Sequence, residues 1–114
     1  MDLTQIIDRF LNEQLELRDM SLRQATRLRF RLIGDASLAF APIEYVRFLK
    51  ASGMATPTLA DLNSQTVGRY WEFASQHHGT VHTSKAMKAL RAFWEWCVAN
   101  EYIKDRPTPP ELSP

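Results

Sequence analysis

A run of apolar residues at helical spacing near the carboxyl end constrains the fold of this chain more than any other feature. Its members recur three or four positions apart, which places them on one face of an α-helix. Gly79 precedes the run, which ends near Asn100. We therefore predict a helix that begins between Thr80 and Thr83 and buries one face, formed by Ala86, Met87, Leu90, Phe93, Trp94, Cys97 and Val98.

Weaker apolar spacing predicts four more helices upstream, and no segment alternates convincingly over the length of a strand. Each has a polar capping residue or a proline at its start, or a glycine after its end. In the second helix, Ser21 and Gln24 have capping-box spacing, and the predicted buried stripe is Leu22, Ala25, Leu28 and Leu32. The predicted helices are about 3–17 with Thr4 as a candidate cap, Ser21 to Gly34, Pro42 to Gly53, and Asn63 or Ser64 to Gly79 with Val67, Tyr70, Trp71 and Ala74 inward.

A chain of 114 residues with 45% hydrophobic residues is long enough for one domain with one core. We expect an all-α fold, a compact bundle of four to five helices over residues 1–103, followed by a proline-rich linker or disordered tail over 104–114. No apolar run is long enough to span a bilayer, and no basic region precedes an apolar stretch at the amino terminus. The single cysteine, Cys97, is interpreted as a buried small hydrophobe, and together these features favour a cytoplasmic protein without a membrane partner.

The formal net charge of +1 conceals a segregation of charge along the chain. Residues 1–17 sum to −3, residues 18–31 sum to +4 and residues 85–91 sum to +3. A basic segment is the electrostatic footprint of a polyanionic partner, so the two basic helices indicate contact with nucleic acid. The alternative is that both are solvated faces that only keep the protein soluble, which leaves the segregation of the signs unexplained.

All but one of the candidate contact residues lie on the helix faces opposite the apolar stripes, and Thr83 lies at the amino-terminal end of the last helix. Arginine and glutamine one helical turn apart suit phosphates and base edges, and a hydroxyl at a helix amino terminus suits a phosphate. The candidates are Arg23, Gln24, Arg27 and Arg31 in the second helix, and Thr83, Ser84, Lys85, Lys88 and Arg91 in the last helix.

Other features of the sequence favour no second chemistry. The three histidines, His77, His78 and His82, have no acid or cysteine beside them to complete a metal site, so we expect no metal and no other cofactor. No glycine-rich phosphate loop, nucleophile elbow or zinc-protease motif occurs, so we expect no enzyme activity from this chain alone. Phe30 and Trp96 fall outside the stripes, and either neighbouring helices cover them or they form a docking surface for another domain or subunit.

Several segments follow one another in an informative order. They are Ile7–Leu11 in the first helix, Ser21 and Thr26 in the second, Val46–Leu49 before Gly53, Thr58–Leu62 before Tyr70 and Trp71, and Thr83–Cys97 before Tyr102, Ile103 and Pro107. In this order they resemble the N-terminal core-binding domain, of SAM-like fold, of tyrosine recombinases, the family of phage integrases and chromosome-dimer resolvases. The resemblance covers most of residues 1–107 and depends most on the last helix.

The resemblance implies a DNA-binding arm that grips one face of duplex DNA during integration or recombination. In the family a second domain, joined by a linker, grips the other face and holds the catalytic arginines, histidine and tyrosine nucleophile. The expected partners are therefore double-stranded DNA, that catalytic domain and other recombinase subunits, with Lys104 and Arg106 of the linker near the DNA backbone. The alternative function is a helical protein-interaction module that mediates subunit or domain docking.

Overall fold

The computed structural model describes residues 2–34 and 44–107, apart from the side chain of His78. All regular structure within these ranges is helical, which confirms the all-α prediction. The chain divides into two compact units, Met1–Pro57 and Thr58–Pro114, called here the first and second unit. The elements are α1 Leu3–Glu16, α2 Leu22–Leu32, α3 Tyr45–Ala51, a 3-10 turn Leu59–Asp61 and α4 Ser64–Ala99. None of the described helices is long and apolar enough to cross a membrane.

Helix α1 begins at Leu3, as the sequence predicts, but a different residue caps it. The cap is Asp2 and not Thr4, because the Asp2 carboxylate accepts from the backbone N–H of Gln5 at 2.8 Å. The Gln5 side chain in turn accepts from the Asp2 backbone N–H at 2.9 Å, which completes a capping box. The buried face of α1 consists of Leu3, Ile6, Ile7, Phe10 and Leu11.

Helix α2 has the predicted capping box but a narrower buried face. The Gln24 carboxamide oxygen accepts from the Ser21 N–H at 2.9 Å, and the Ser21 hydroxyl accepts from the Gln24 N–H at 3.2 Å. Ala25 and Leu32 are buried, whereas Leu22 is 71% exposed, so its predicted place in the core is wrong. At about 100° per residue, Leu22 lies about 80° around the helix from Leu32, beyond the face that packs inward.

Helix α3 buries Tyr45, Val46 and Leu49 in the first unit. It ends as predicted at Gly53, which takes a φ of +102° that favours glycine. The predicted start at Pro42 and all but Gly34 of the predicted loop 34–41 lie outside the described residues. At the cap position, buried Glu44 accepts from Arg47 Nη1 at 3.2 Å.

Helix α4 contains the two helices that the sequence predicts at the carboxyl end. Asn63 caps it, since its side-chain oxygen accepts from the N–H groups of Gln65 and Thr66. The helical conformation is interrupted at Gly79, with φ 79° and ψ 169°, so the predicted boundary at this glycine is confirmed. Fully buried side chains on both sides of the interruption form the core of the second unit, among them Val67, Tyr70, Leu90, Phe93, Trp94 and Cys97.

The sequence assigns residues 104–114 to a linker, but the first residues of this stretch pack within the second unit. Pro107 is buried, and Arg106 Nε donates to Glu95 Oε1 at 2.7 Å. Residues 108–114 lie outside the described ranges.

Candidate nucleic-acid interface

A groove of about 570 Å³ in the second unit lies against both parts of α4. Its wall before Gly79 carries a half-buried tryptophan and a serine, and its wall after Gly79 carries hydroxyls and cations. Because a helix that loses its conformation at one residue can change direction there, side chains far apart in sequence share this groove. The lining includes Trp71, Ser75, Thr80, Ser84, Lys88 and Arg91.

The electrostatics of this groove favour an anion. Lys88 and Arg91 line it, and no carboxylate does so among the described residues. The Arg91 guanidinium carbon lies 5.9 Å from the centroid of the Trp94 ring, a cation–π contact that restricts the orientation of the arginine. Lys85 is exposed on the same part of α4 but does not line the groove. Of the predicted contacts in the last helix, Thr83, Ser84, Lys88 and Arg91 therefore line the groove, and Lys85 does not.

Thr83 lines the groove, but its hydroxyl is bonded within the protein. Its side chain is only 4% exposed, and its hydroxyl donates to the Gly79 carbonyl at 2.7 Å. Because this hydroxyl hydrogen is committed to the backbone at the interruption of α4, Thr83 does not present a donor to a phosphate. It stabilises the first turn after Gly79 instead.

The predicted contacts of α2 belong to the first unit. Arg23, Gln24 and Arg27 are exposed, and Arg31 is half-buried. The oxygen of the Gln24 carboxamide caps the helix, so that oxygen is committed to the Ser21 N–H.

Some of the segregated charges form an ion pair inside the first unit. Arg29 Nε donates to Asp8 of α1 at 2.9 Å, and α1 and α2 pack against each other. The acidic α1 and the basic α2 therefore complement one another, which accounts for some of the positive charge without a partner molecule. The exposed Arg23 and Arg27 remain candidates on this helix.

The residues outside the predicted stripes behave differently from one another. Trp96 is 9% exposed and stacks between Phe93 and Tyr102, with ring centroids 6.4 Å and 5.2 Å away, so neighbouring side chains cover it and it forms no docking surface. Phe30 is 37% exposed in the first unit. The ring of His77 packs on Phe73 at 4.6 Å between centroids. Within the described residues no three His, Cys, Asp or Glu side chains are grouped as a metal site.

Sequence reasoning missed the wall of the groove that precedes Gly79. It assigned Trp71 to the buried stripe of its helix, whereas Trp71 is half-buried and lines the groove. Trp71, Ser75 and Gly79 recur at a spacing of four, which places them on one side of the helix. This spacing was the only indication in the sequence that Trp71 and Ser75 share a surface. That signal carries no information about which side chains after Gly79 complete the groove.

An ion pair lies near the cations of α4. Hydrogen bonding from Arg106 lowers the pKa of the Glu95 carboxyl, against a smaller raising effect of desolvation. The same carboxylate accepts from Trp94 Nε1 at 3.3 Å. The hydrogen bonds from Arg106 and Trp94 therefore fix the orientation of the Glu95 carboxylate.

Comparison with known proteins identifies no relative of this chain. A scan against protein-family models, a search of curated proteins and a search of solved structures each give no significant match.

Proposed function

We propose that this chain is the DNA-binding arm of a site-specific tyrosine recombinase of the phage-integrase type, with the SAM-like helical fold of that arm. The observation that supports it best is the basic face of α4 after Gly79, where Lys85, Lys88 and Arg91 are all exposed. Exposed Arg23 and Arg27 on α2 supply a second, weaker basic face in the first unit.

The spacing of the α4 cations suits a duplex. From Lys85 to Arg91 the helix rises about 9 Å, at about 1.5 Å per residue. Over that length duplex DNA carries about five phosphate charges. Three cations on one side of a helix therefore meet several phosphates whatever the base sequence, and the arginine adds a planar fork that matches a phosphate.

The recombinase assignment draws on the resemblance in the sequence. The last helix of the resemblance, Thr83–Cys97, is the one that carries these cations. In the family the catalytic residues belong to a second domain, so the proposal gives this chain no DNA cleavage of its own. Its partners would be that domain, other recombinase subunits and double-stranded DNA in the cytoplasm.

The proposal is tested by fluorescence anisotropy with a labelled duplex over a salt series. The slope of log affinity against log salt should be about −2.7 if only the three α4 cations contact phosphates, and about −4.5 if Arg23 and Arg27 join them. Between about 50 and 200 mM salt, these slopes correspond to losses of about 40-fold and 500-fold in affinity. Affinity that does not change with salt would contradict phosphate contact.

Charge reversal identifies the helix responsible. Lys88→Glu should weaken binding at low salt and flatten the slope by about one. Lys50→Glu is the matched control, since Lys50 is an exposed lysine on α3 and is not among the proposed contacts. Equal effects of the two changes would show only a response to net charge and would remove α4 from the interface.

A second candidate function, a protein-interaction module, has a specific observation in its favour. Leu17 and Leu22 flank the connection between α1 and α2 and are 59% and 71% exposed. Exposed leucines this close in sequence suit a contact with another protein. Self-association in sedimentation experiments that Leu22→Ser abolishes, together with no binding to DNA, would favour this function over the first.

A further inference from the structure

We propose that the groove across the interruption of α4 holds one unpaired nucleotide, with the base against Trp71 and the phosphate on Lys88 and Arg91. The inference rests on the proposed function for the source of that nucleotide, a strand of DNA. A free mononucleotide has the same chemistry, and the experiment below separates the two sources.

The shape of the site is the first argument. Phosphates of a duplex bind to an exposed basic helix face and need no concavity. Lys88 and Arg91 instead line a groove of about 570 Å³, within the range of about 300–1,000 Å³ that is typical of small-molecule sites. A groove of this size admits one nucleotide and excludes the width of a duplex.

The aromatic wall is the second argument. Trp71 is half-buried in the lining, so part of its indole ring faces the groove. Trp94 also lines the groove but is 1% exposed, lies under Arg91 and donates its Nε1–H to Glu95. Trp71 is therefore the ring available to a base, and stacking on such a ring tolerates any base.

The polar side chains of the groove suit the phosphate and the sugar of a nucleotide. Lys88 and Arg91 are three residues apart on a helix, about 4.5 Å along its axis, so both reach one phosphate. The contact of Arg91 with the Trp94 ring holds the guanidinium in place before the anion arrives. Ser75, Thr80 and Ser84 also line the groove, and their hydroxyls supply hydrogen-bonding groups for a sugar. An apolar ligand would leave these cations and hydroxyls desolvated without partners.

The test follows the indole N–H signals of the three tryptophans by NMR while deoxyadenosine monophosphate is added at millimolar concentration. We expect the signal of Trp71 to move, and to move less with deoxyadenosine or with inorganic phosphate, because each supplies only half of the contacts. A duplex with one unpaired nucleotide should then bind more tightly than the fully paired duplex of the same sequence. No shift of Trp71 with the mononucleotide and no preference for the unpaired nucleotide would overturn the proposal.

Matched variants separate the groove from the duplex-binding face. Trp71→Leu should weaken the mononucleotide at least about fivefold, with Trp71→Phe restoring most of the affinity because a ring remains. Lys88→Ala should weaken it about tenfold and Lys85→Ala less than about twofold, because only Lys88 lines the groove. Circular dichroism checks that each variant is folded. An equal loss with Lys85→Ala and Lys88→Ala would overturn the assignment of the phosphate.

The two proposals fail in different ways. If paired duplex binds and depends on both lysines, but Trp71→Leu and the unpaired nucleotide change nothing, the groove proposal is overturned and the DNA-binding arm stands. If the mononucleotide binds through Trp71 and Lys88 while no DNA of either kind binds, the groove holds a free nucleotide. In that case the DNA-binding function and the DNA source fail together.

Discussion

Replacing Glu101 by glycine should stabilise this protein, because the end of α4 holds a charged residue in a conformation that glycine adopts more easily. Glu101 has φ 61°, in the left-handed region. Around it the N–H of Tyr102 donates to the Cys97 carbonyl at 2.8 Å, and the N–H of Glu101 donates to the Val98 carbonyl at 3.1 Å. These two bonds form a Schellman motif, and the Tyr102 ring completes it by packing on Trp96.

The magnitude follows from the backbone. A residue with a Cβ in the left-handed conformation costs about 1–2 kcal/mol. Glycine removes that cost but adds about 0.5–1 kcal/mol of unfolded-state entropy. The net gain from Glu101→Gly is therefore about 0.75 kcal/mol at the centres of the two ranges and at most about 1.5 kcal/mol, measured as the free energy of unfolding in urea. Glu101→Ala is the control, because it removes the exposed side chain and keeps the strained backbone, so it should change stability by less than about 0.5 kcal/mol.

The same motif at two other helix ends supplies independent checks. At the end of α1, Arg18 has φ 57° and its N–H donates to the Leu15 carbonyl, so Arg18→Gly should also stabilise. At the end of α3, Gly53 has φ 102° and an added Cβ would meet no atom within 4 Å, so Gly53→Ala should destabilise through the backbone alone. The reasoning fails if Glu101→Gly matches Glu101→Ala, or if Gly53→Ala has no cost.

Three further changes have expected outcomes. Arg106→Ala should raise the pKa of Glu95 towards its ordinary value, as followed in a carboxyl NMR titration. Because the ion pair with Arg106 lowers that pKa, the pair stabilises the folded protein fully when the pH is above the ordinary pKa of a glutamate. This stabilisation is lost as the pH falls through the lowered pKa. Cys97 should resist thiol reagents in the native protein and react in denaturant, since burial raises the pKa of its thiol to about 12. In urea denaturation, Gly34→Ala should cost more than Gly53→Ala, because Gly34 has φ +88° and its new Cβ would overlap the carboxylate of buried Glu44.

Local chemistry made much of the fold predictable from the sequence. The capping box of Ser21 and Gln24, the end of α3 at Gly53 and the interruption at Gly79 each depend on a few neighbouring backbone groups. Such features need no information about distant residues. The ends of α1 and α4 lie close to the predicted residue 17 and Asn100, but the left-handed conformation of Arg18 and Glu101 was not identifiable in this way, because neither residue type usually adopts it.

The candidate site was predictable only in part. The exposed positions of Lys85, Lys88 and Arg91 follow from the angle between them and the apolar stripe of their own helix. The burial of Thr83 follows from the same angle, since Thr83 lies seven residues before Leu90 and therefore about 20° from it around the helix. The half-exposure of Trp71 does not follow from it, because it depends on the direction in which the chain continues after Gly79.

Gly79 therefore affects the two proposals differently. An uninterrupted helix of the 36 residues of α4 would be about 54 Å long, with Trp71 about 25 Å from Lys88 along its axis. At that distance the ring and the cation would share no groove, so the nucleotide site exists only because the backbone at Gly79 takes a conformation that is essentially confined to glycine. The spacing of Lys85, Lys88 and Arg91 is set within one uninterrupted stretch of helix and does not depend on the break. The basic face is thus the simpler and more general feature, and the groove adds to it a site whose ligand must supply both a ring and a charge.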